Sequence, residues 1–121
     1  MKKILIIDDD KRIRQIIKIQ LNKTKFTLFE AEDRPSALKI LESEDIHVII
    51  CDIKMKDTNG FVLLEEMKKK YTNIPVIMLT GFIDKKVSDK AMRLGSFDFI
   101  TKPVRRQHLI DTIRRALGED G

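Results

Sequence analysis

Two apolar runs in this chain end on carboxylates. "ILIIDDD" delivers Asp8, Asp9 and Asp10 directly after Ile4–Ile7, and "VIICDIKM" delivers Asp52 after Val48–Cys51. A third run, "VIMLTG", ends on Thr80, and a fourth, "FDFITKP", runs into Lys102. Converging carboxylates repel one another unless a positive group lies among them. Asp8, Asp9 and Asp52 make a hard-oxygen set suited to Mg²⁺, which takes a few protein oxygens and keeps several waters. A metal alone gives no reason for Thr80 and Lys102. A hydroxyl and an ammonium suit an anion carried on Asp52, and a carboxylate is a nucleophile toward phosphorus, giving an aspartyl phosphate. Phosphoryl transfer needs mainly positioning and charge neutralisation, which a metal, a lysine and a hydroxyl provide.

For these residues to meet, the fold must bring several strand ends to one rim. Apolar runs at Ile4–Ile7, Thr27–Ala31, Val48–Cys51, Val76–Leu79 and Phe97–Ile100 alternate with helix-period segments. The first helical pattern, Lys11–Asn22, places Ile13, Ile16, Ile17 and Leu21 on one face. The second, Pro35–Ser43, buries Ala37, Leu38 and Leu41, with Pro35 suited to a first turn. The third follows Gly60 and presents Leu63, Leu64 and Met67. The fourth, Lys85–Leu94, offers Val87, Ala91 and Leu94 before Gly95, a C-terminal cap. The last, Arg105–Leu117, carries Leu109, Ile110, Ile113 and Leu117. Five βα units predict an α/β fold: a doubly wound, flavodoxin-like, five-stranded parallel sheet of order 2-1-3-4-5 with five helices on both faces. Its ligand crevice lies beyond the C-terminal ends of the first and third strands, where the acidic residues stand.

Composition sets the outer bounds. A chain of 121 residues, 42% hydrophobic and 36% charged, fits one globular domain. The net charge of +5, from 24 Lys and Arg against 19 Asp and Glu, is spread along the chain and does not indicate nucleic-acid binding. No stretch has the length of a membrane span or the apolar region of a signal peptide, and Cys51 is the sole cysteine, so a cytoplasmic, reducing location is expected.

With "LIIDDD", "CDIKMKDTNG", "MLTG" and "TKPV" in these places, the sequence resembles the receiver domains of two-component response regulators over essentially its whole length, residues 1–121. The resemblance implies that Asp52 is the phosphoacceptor and that Asp8 and Asp9, with Asp52 and the backbone carbonyl of Lys54, hold Mg²⁺. It implies that Thr80 and Lys102 contact the phosphoryl oxygens. The donor would be a phosphohistidine on a sensor histidine kinase or phosphotransfer protein. Thr80 and Phe99 would be the switch residues, biasing the surface made by the fourth helix, fifth strand and fifth helix, where a partner or second copy would bind. The domain would catalyse only its own phosphorylation and dephosphorylation, with no direct nucleic-acid or membrane contact. The family usually has Pro where this chain has Lys56, which implies a looser loop, and commonly a cis bond at Lys102–Pro103. Lys54 and Phe82, two residues beyond Asp52 and Thr80, would flank the approach of water, where their bulk would slow hydrolysis.

Other residues have plainer readings. Asp10 caps the first helix, Gly60 serves a turn, Cys51 belongs to the core, and His47 and His108 are surface residues without metal-ligand spacing. The basic "RRQHLIDTIRR" presents a solvated outer face. Among rival functions, a haloacid-dehalogenase-like phosphatase would use Asp8-x-Asp10, but Arg12 stands where that family needs Thr or Val, and there is no room for a cap domain. A nucleotide-binding domain lacks its glycine-rich loop. A receiver-like interaction module that is never phosphorylated is the remaining alternative. No DNA-binding or catalytic output domain is expected within the chain.

Overall fold

The computed structural model describes residues 1–82 and 84–119. The first half of the chain runs β1 (Lys3–Ile7), α1 (Lys11–Gln20), β2 (Thr27–Ala31), α2 (Arg34–Ser43) and β3 (Val48–Asp52). It continues α3 (Gly60–Lys70), β4 (Val76–Thr80), α4 (Lys85–Arg93), β5 (Asp98–Thr101) and α5 (Arg106–Ala116). All strand pairs are parallel and the order is β2-β1-β3-β4-β5, as the alternation of apolar runs and helical patterns predicts. The end of the expected domain, Asp120 and Gly121, lies outside the described residues. No described helix is long and apolar enough to cross a membrane.

The strands are apolar on both faces because each face is covered by helices. Ile4, Ile6, Val48, Ile50, Ile77, Leu79 and Ile100 pack beneath Ile17 of α1, Leu21 at its C-terminal cap, and Leu109, Ile110 and Ile113 of α5. Leu5, Ile7, Ile49, Cys51, Val76 and Met78 pack on the other side, against α2, α3 and Ala91 of α4. The division follows from the two-residue alternation of strand side chains. Cys51 is fully buried there, as expected, and burial pushes its thiol well above the ordinary range.

Local chemistry sets the element ends. Asp10 caps α1 by accepting the Arg12 N–H at 2.9 Å, as expected. Asp33 and Ser36 form a reciprocal capping box around Pro35 at the start of α2. Gly95 follows α4 at φ +98°, a conformation that glycine adopts without penalty. The Lys102–Pro103 bond is cis. Gln20 Nε2 donates to the Val104 carbonyl at 2.6 Å and fastens α1 to the segment following Lys102.

Two expectations need correction. Ile16 is 42% exposed rather than part of the buried face of α1, because Ile13, Ile17 and Leu21 recur at four-residue spacing and Ile16 falls to their side. His47 is half-buried rather than a surface residue: its Nδ1 accepts the Lys3 N–H at 3.0 Å, closing the entry to β1.

Gly60, the first residue of α3, is more than a turn residue. Its N–H donates to the Ile53 carbonyl at 2.8 Å, and a Cβ there would lie 2.6 Å from Ile53 Cα and nearer still to the Asp52 carbonyl oxygen. The start of α3 therefore packs directly on the backbone that carries Asp52. Gly60→Ala is expected to destabilise the fold by about 1–3 kcal/mol, the usual range for overpacking, as measured by urea denaturation.

Candidate functional site

Three strand ends supply the centre of the site. Asp8 continues β1, and its N–H donates to the Ala31 carbonyl of β2 at 3.1 Å. Asp52 is the last residue of β3, and the next amide, Ile53 N–H, donates to the Leu79 carbonyl of β4 at 3.0 Å. Lys102 continues β5, its N–H donating to the Thr80 carbonyl at 2.7 Å. The ladder thus extends past the strands and fixes the backbone on which these side chains stand.

Asp8 and Asp52 are buried, and Asp9 is half-buried. One carboxylate oxygen from each lies within 4.8 Å of those of the other two. The Lys102 ammonium approaches Asp52 Oδ1 at 3.0 Å and Asp8 Oδ2 at 3.3 Å. Asp8 Oδ1 accepts the Asp10 N–H at 2.9 Å, but Asp8 Oδ2 has no hydrogen-bond partner among the described residues. Its contact with Lys102 meets the distance of an ion pair without the angle of a hydrogen bond. A buried carboxylate oxygen left in this state, beside two further carboxylates, fits a divalent cation with a preference for hard oxygen ligands.

Electrostatics agree with that fit. Burial raises the Asp8 carboxyl above its ordinary range, against the opposing pull of the Asp10 N–H and Lys102. Burial likewise raises Asp52, with the charge of Asp8 adding to it and Lys102 opposing it. For Lys102, burial works against the ammonium, but Asp52 and then Asp8 overcome it, and the net shift is upward. One cation serving two buried carboxylates leaves a deficit of positive charge.

The other expected residues are arranged around this centre. Thr80 is buried, and its hydroxyl donates to the Phe82 carbonyl at 2.6 Å while accepting the Phe82 N–H at 3.2 Å. It is occupied with the β4–α4 loop rather than with Asp52. Lys54 lies in the β3–α3 loop, bridged across it to Asn59. Phe99 is half-buried and packs with Val87 and Leu94 against the α2–α4 side of the core. Asp52, Lys54, Thr80, Phe82, Val87 and Lys102 line one open cleft, in which Phe82 is 70% exposed.

Some contributors carry no signal in the residue alphabet. The Lys56 N–H donates to Asp9 Oδ2 at 2.7 Å, so the loop expected to be looser at this position is tied down there. A backbone amide is common to every residue but proline, and only the departure from Pro at position 56 marks it. Arg14 Nη1 donates to the Asp8 carbonyl at 2.6 Å and is held by Glu30 at 3.1 Å, an arrangement that depends on β1 and β2 being neighbours.

Comparison with known proteins places this geometry in context. The family model of the response regulator receiver domain matches residues 4–114. The chain is 32% identical over 115 residues to a putative NtrX-like response regulator of Rickettsia felis, covering 93% of this chain and 24% of that protein. It is 31% identical over 115 residues to the regulatory protein VanR of Enterococcus faecium, covering 95% of this chain and 49% of that protein. The chain therefore spans between a quarter and a half of the length of these curated relatives. Among solved structures it is similar to the chemotaxis protein CheY4 of Vibrio cholerae, with a TM-score of 0.91 at 27% identity over 97% of this chain and 99% of that one.

The charge deficit has a thermodynamic signature. Because burial raises the folded pKa of Asp8, the stability linked to this group is fully present below its unfolded value of about 3.9 and is lost as pH rises through the folded value. At neutral pH the ionised carboxylate therefore destabilises the cation-free fold. Asp8→Asn is expected to stabilise the chain at pH 7 in EDTA by on the order of 1 kcal/mol. The gain should vanish below about pH 4, where the wild-type carboxyl is protonated. Denaturation curves across this pH range check both parts.

Proposed function

The chain belongs to the response regulator receiver domain family, and from that premise we propose that Asp52 accepts a phosphoryl group from a phosphohistidine and that this modification switches a distal surface. The observation that carries the reading is the Lys102 ammonium held between Asp52 Oδ1 and Asp8 Oδ2 at the mouth of an open cleft. Lys102 engages Oδ1, so Asp52 Oδ2 is the oxygen directed to attack. A new O–P bond forms as the P–N bond to the histidine breaks, and the electron pair leaves with the imidazole. Lys102 neutralises charge on the phosphoryl oxygens, and the fixed backbone of β3 and β5 keeps the nucleophile and the ammonium in register.

Asp8, Asp9 and Asp52, with the Lys54 carbonyl, would hold Mg²⁺, which supplies charge neutralisation for the transferring group. The donor protein would be a sensor histidine kinase or phosphotransfer protein, as the family implies. A cytoplasmic location is consistent with such a donor.

The switch follows from the positions of Thr80 and Phe99. To donate to a phosphoryl oxygen on Asp52, the Thr80 hydroxyl must leave the Phe82 carbonyl that it now serves. The Gly81–Phe82 backbone held by this bond is then released, and Phe99 packs against the same core cluster as Val87 of α4, on the same side of the sheet. Ala91 is the one buried residue of α4, so little core packing opposes movement of this helix. Met92 and Phe97, 50% and 36% exposed, place apolar area on the α4–β5–α5 surface for a partner or a second copy. Phosphorylation would bias the equilibrium between two arrangements of that surface.

Incubation with acetyl phosphate and Mg²⁺, read by intact mass, is expected to add one phosphoryl group. EDTA or Asp52→Asn should abolish the adduct, and Lys102→Ala should slow its formation by about 10²-fold or more. An adduct that survives Asp52→Asn would move the phosphoacceptor elsewhere. No adduct, together with no beryllofluoride complex, would leave an interaction module that is not phosphorylated.

A further inference from the structure

The chain leaves the sheet between Ile7, the last residue of β1, and Asp10, the N-cap of α1, and the two residues between them, Asp8 and Asp9, both belong to the acidic site. They share one peptide plane, which carries the Asp8 carbonyl and the Asp9 N–H. Asp8 enters it in a fixed position, because its N–H extends the ladder to the Ala31 carbonyl and its Oδ1 accepts the Asp10 N–H. The direction in which Asp9 leaves depends on how that peptide is rotated. Arg14, near the start of α1, points back toward the helix N-terminus, as helical side chains do, and its Nη1 donates to the Asp8 carbonyl at 2.6 Å.

Arg14 is itself held. Its Nε donates to Glu30 Oε1 of β2 at 3.1 Å, and its side chain is 12% exposed. Lys18, one turn further along the same face of α1, donates to the other oxygen of Glu30 at 2.9 Å. Two cations thus share one carboxylate, and of the two it is Arg14 that reaches the Asp8 carbonyl.

We propose that Arg14 is a positioning residue for the acidic site: its guanidinium locks the Asp8–Asp9 peptide so that both carboxylates face a divalent cation beside Asp52. This rests on the reading of the acidic site as a cation site. A planar fork with one arm on a backbone carbonyl and another on Glu30 fixes a direction, which a point charge does not. Groups one step removed from the ligands tune metal sites in this way. The charge of Arg14 acts in the opposite sense, since one cation near the ligands opposes the arrival of another. The two contributions differ in sign, so measurement separates them.

Mg²⁺ binding, measured calorimetrically, is expected to weaken by about 10-fold or more in Arg14→Ala, although a positive charge has been removed. Lys18→Ala removes an equal charge from the same Glu30 cluster but leaves the Asp8 carbonyl bonded, and its affinity should match or exceed that of the wild type. Urea curves in EDTA establish that each variant is folded; a loss of stability alone would leave the affinity of the folded chain unchanged. If Arg14→Ala fails to fold, Arg14→Lys decides the matter: it keeps the charge without the fork and should still weaken Mg²⁺ binding. Wild-type or tighter binding by the folded Arg14 variant, or an equal loss in Lys18→Ala, would overturn the inference. Absence of Mg²⁺ binding by the wild-type chain would instead overturn the cation reading of the acidic site, and this inference with it.

Discussion

The Lys102 ammonium sits between two carboxylates that burial would otherwise neutralise. Most of the site depends on that one cation. Lys102 is placed by the ladder bond from its own N–H to the Thr80 carbonyl, and its neighbouring segment is held by Gln20 of α1. Asp8 and Asp52 are placed by the parallel pairing of β1 with β3, which makes their strand ends neighbours. The sheet interior supplies the rigidity, and the rim carries the electrostatic load that the interior could not tolerate. A site short of positive charge responds strongly to an arriving cation, a useful property in a signalling domain.

Strand alternation divides the rim into two parts. Val48 and Ile50 face α1 and α5, and Asp52 continues their side; Ile4 and Ile6 lead to Asp8 in the same way, and Ile100 leads to Lys102. Thr80 follows Val76 and Met78 toward α3 and α4, and Phe99 lies on that side too. The charged centre and the pair of residues assigned to switching therefore start from opposite faces of one sheet. The Thr80 hydroxyl, bonded to the Phe82 backbone, belongs to the second group in this structure. A phosphoryl group on Asp52 would be what draws it toward the first.

The sequence made the fold readable because its apolar runs are short, continuous and separated by helix-period segments, a pattern that parallel sheets covered on both faces require. Asp8, Asp9, Asp52, Thr80 and Lys102 were legible because each stands at or just beyond the end of such a run. The misreadings came from details that periodicity does not carry. Ile16 fits an apolar list but lies off the i, i+4 line of Ile13, Ile17 and Leu21, and half-buried His47, just before β3, accepts the N–H of Lys3, 44 residues away on β1.

Residue types and their order thus determined the strand sequence, the acidic rim and the presence of a lysine and a hydroxyl there. Tertiary structure alone decided which atoms those groups address. Lys102 spans Asp52 and Asp8, Thr80 turns to Phe82, and Asp9 is held by the Lys56 amide. The reason is that hydrogen bonds and ion pairs depend on angles and distances between atoms far apart in the chain. Several of the partners are backbone groups, which every residue but proline presents alike and which only the folded path of the chain can aim.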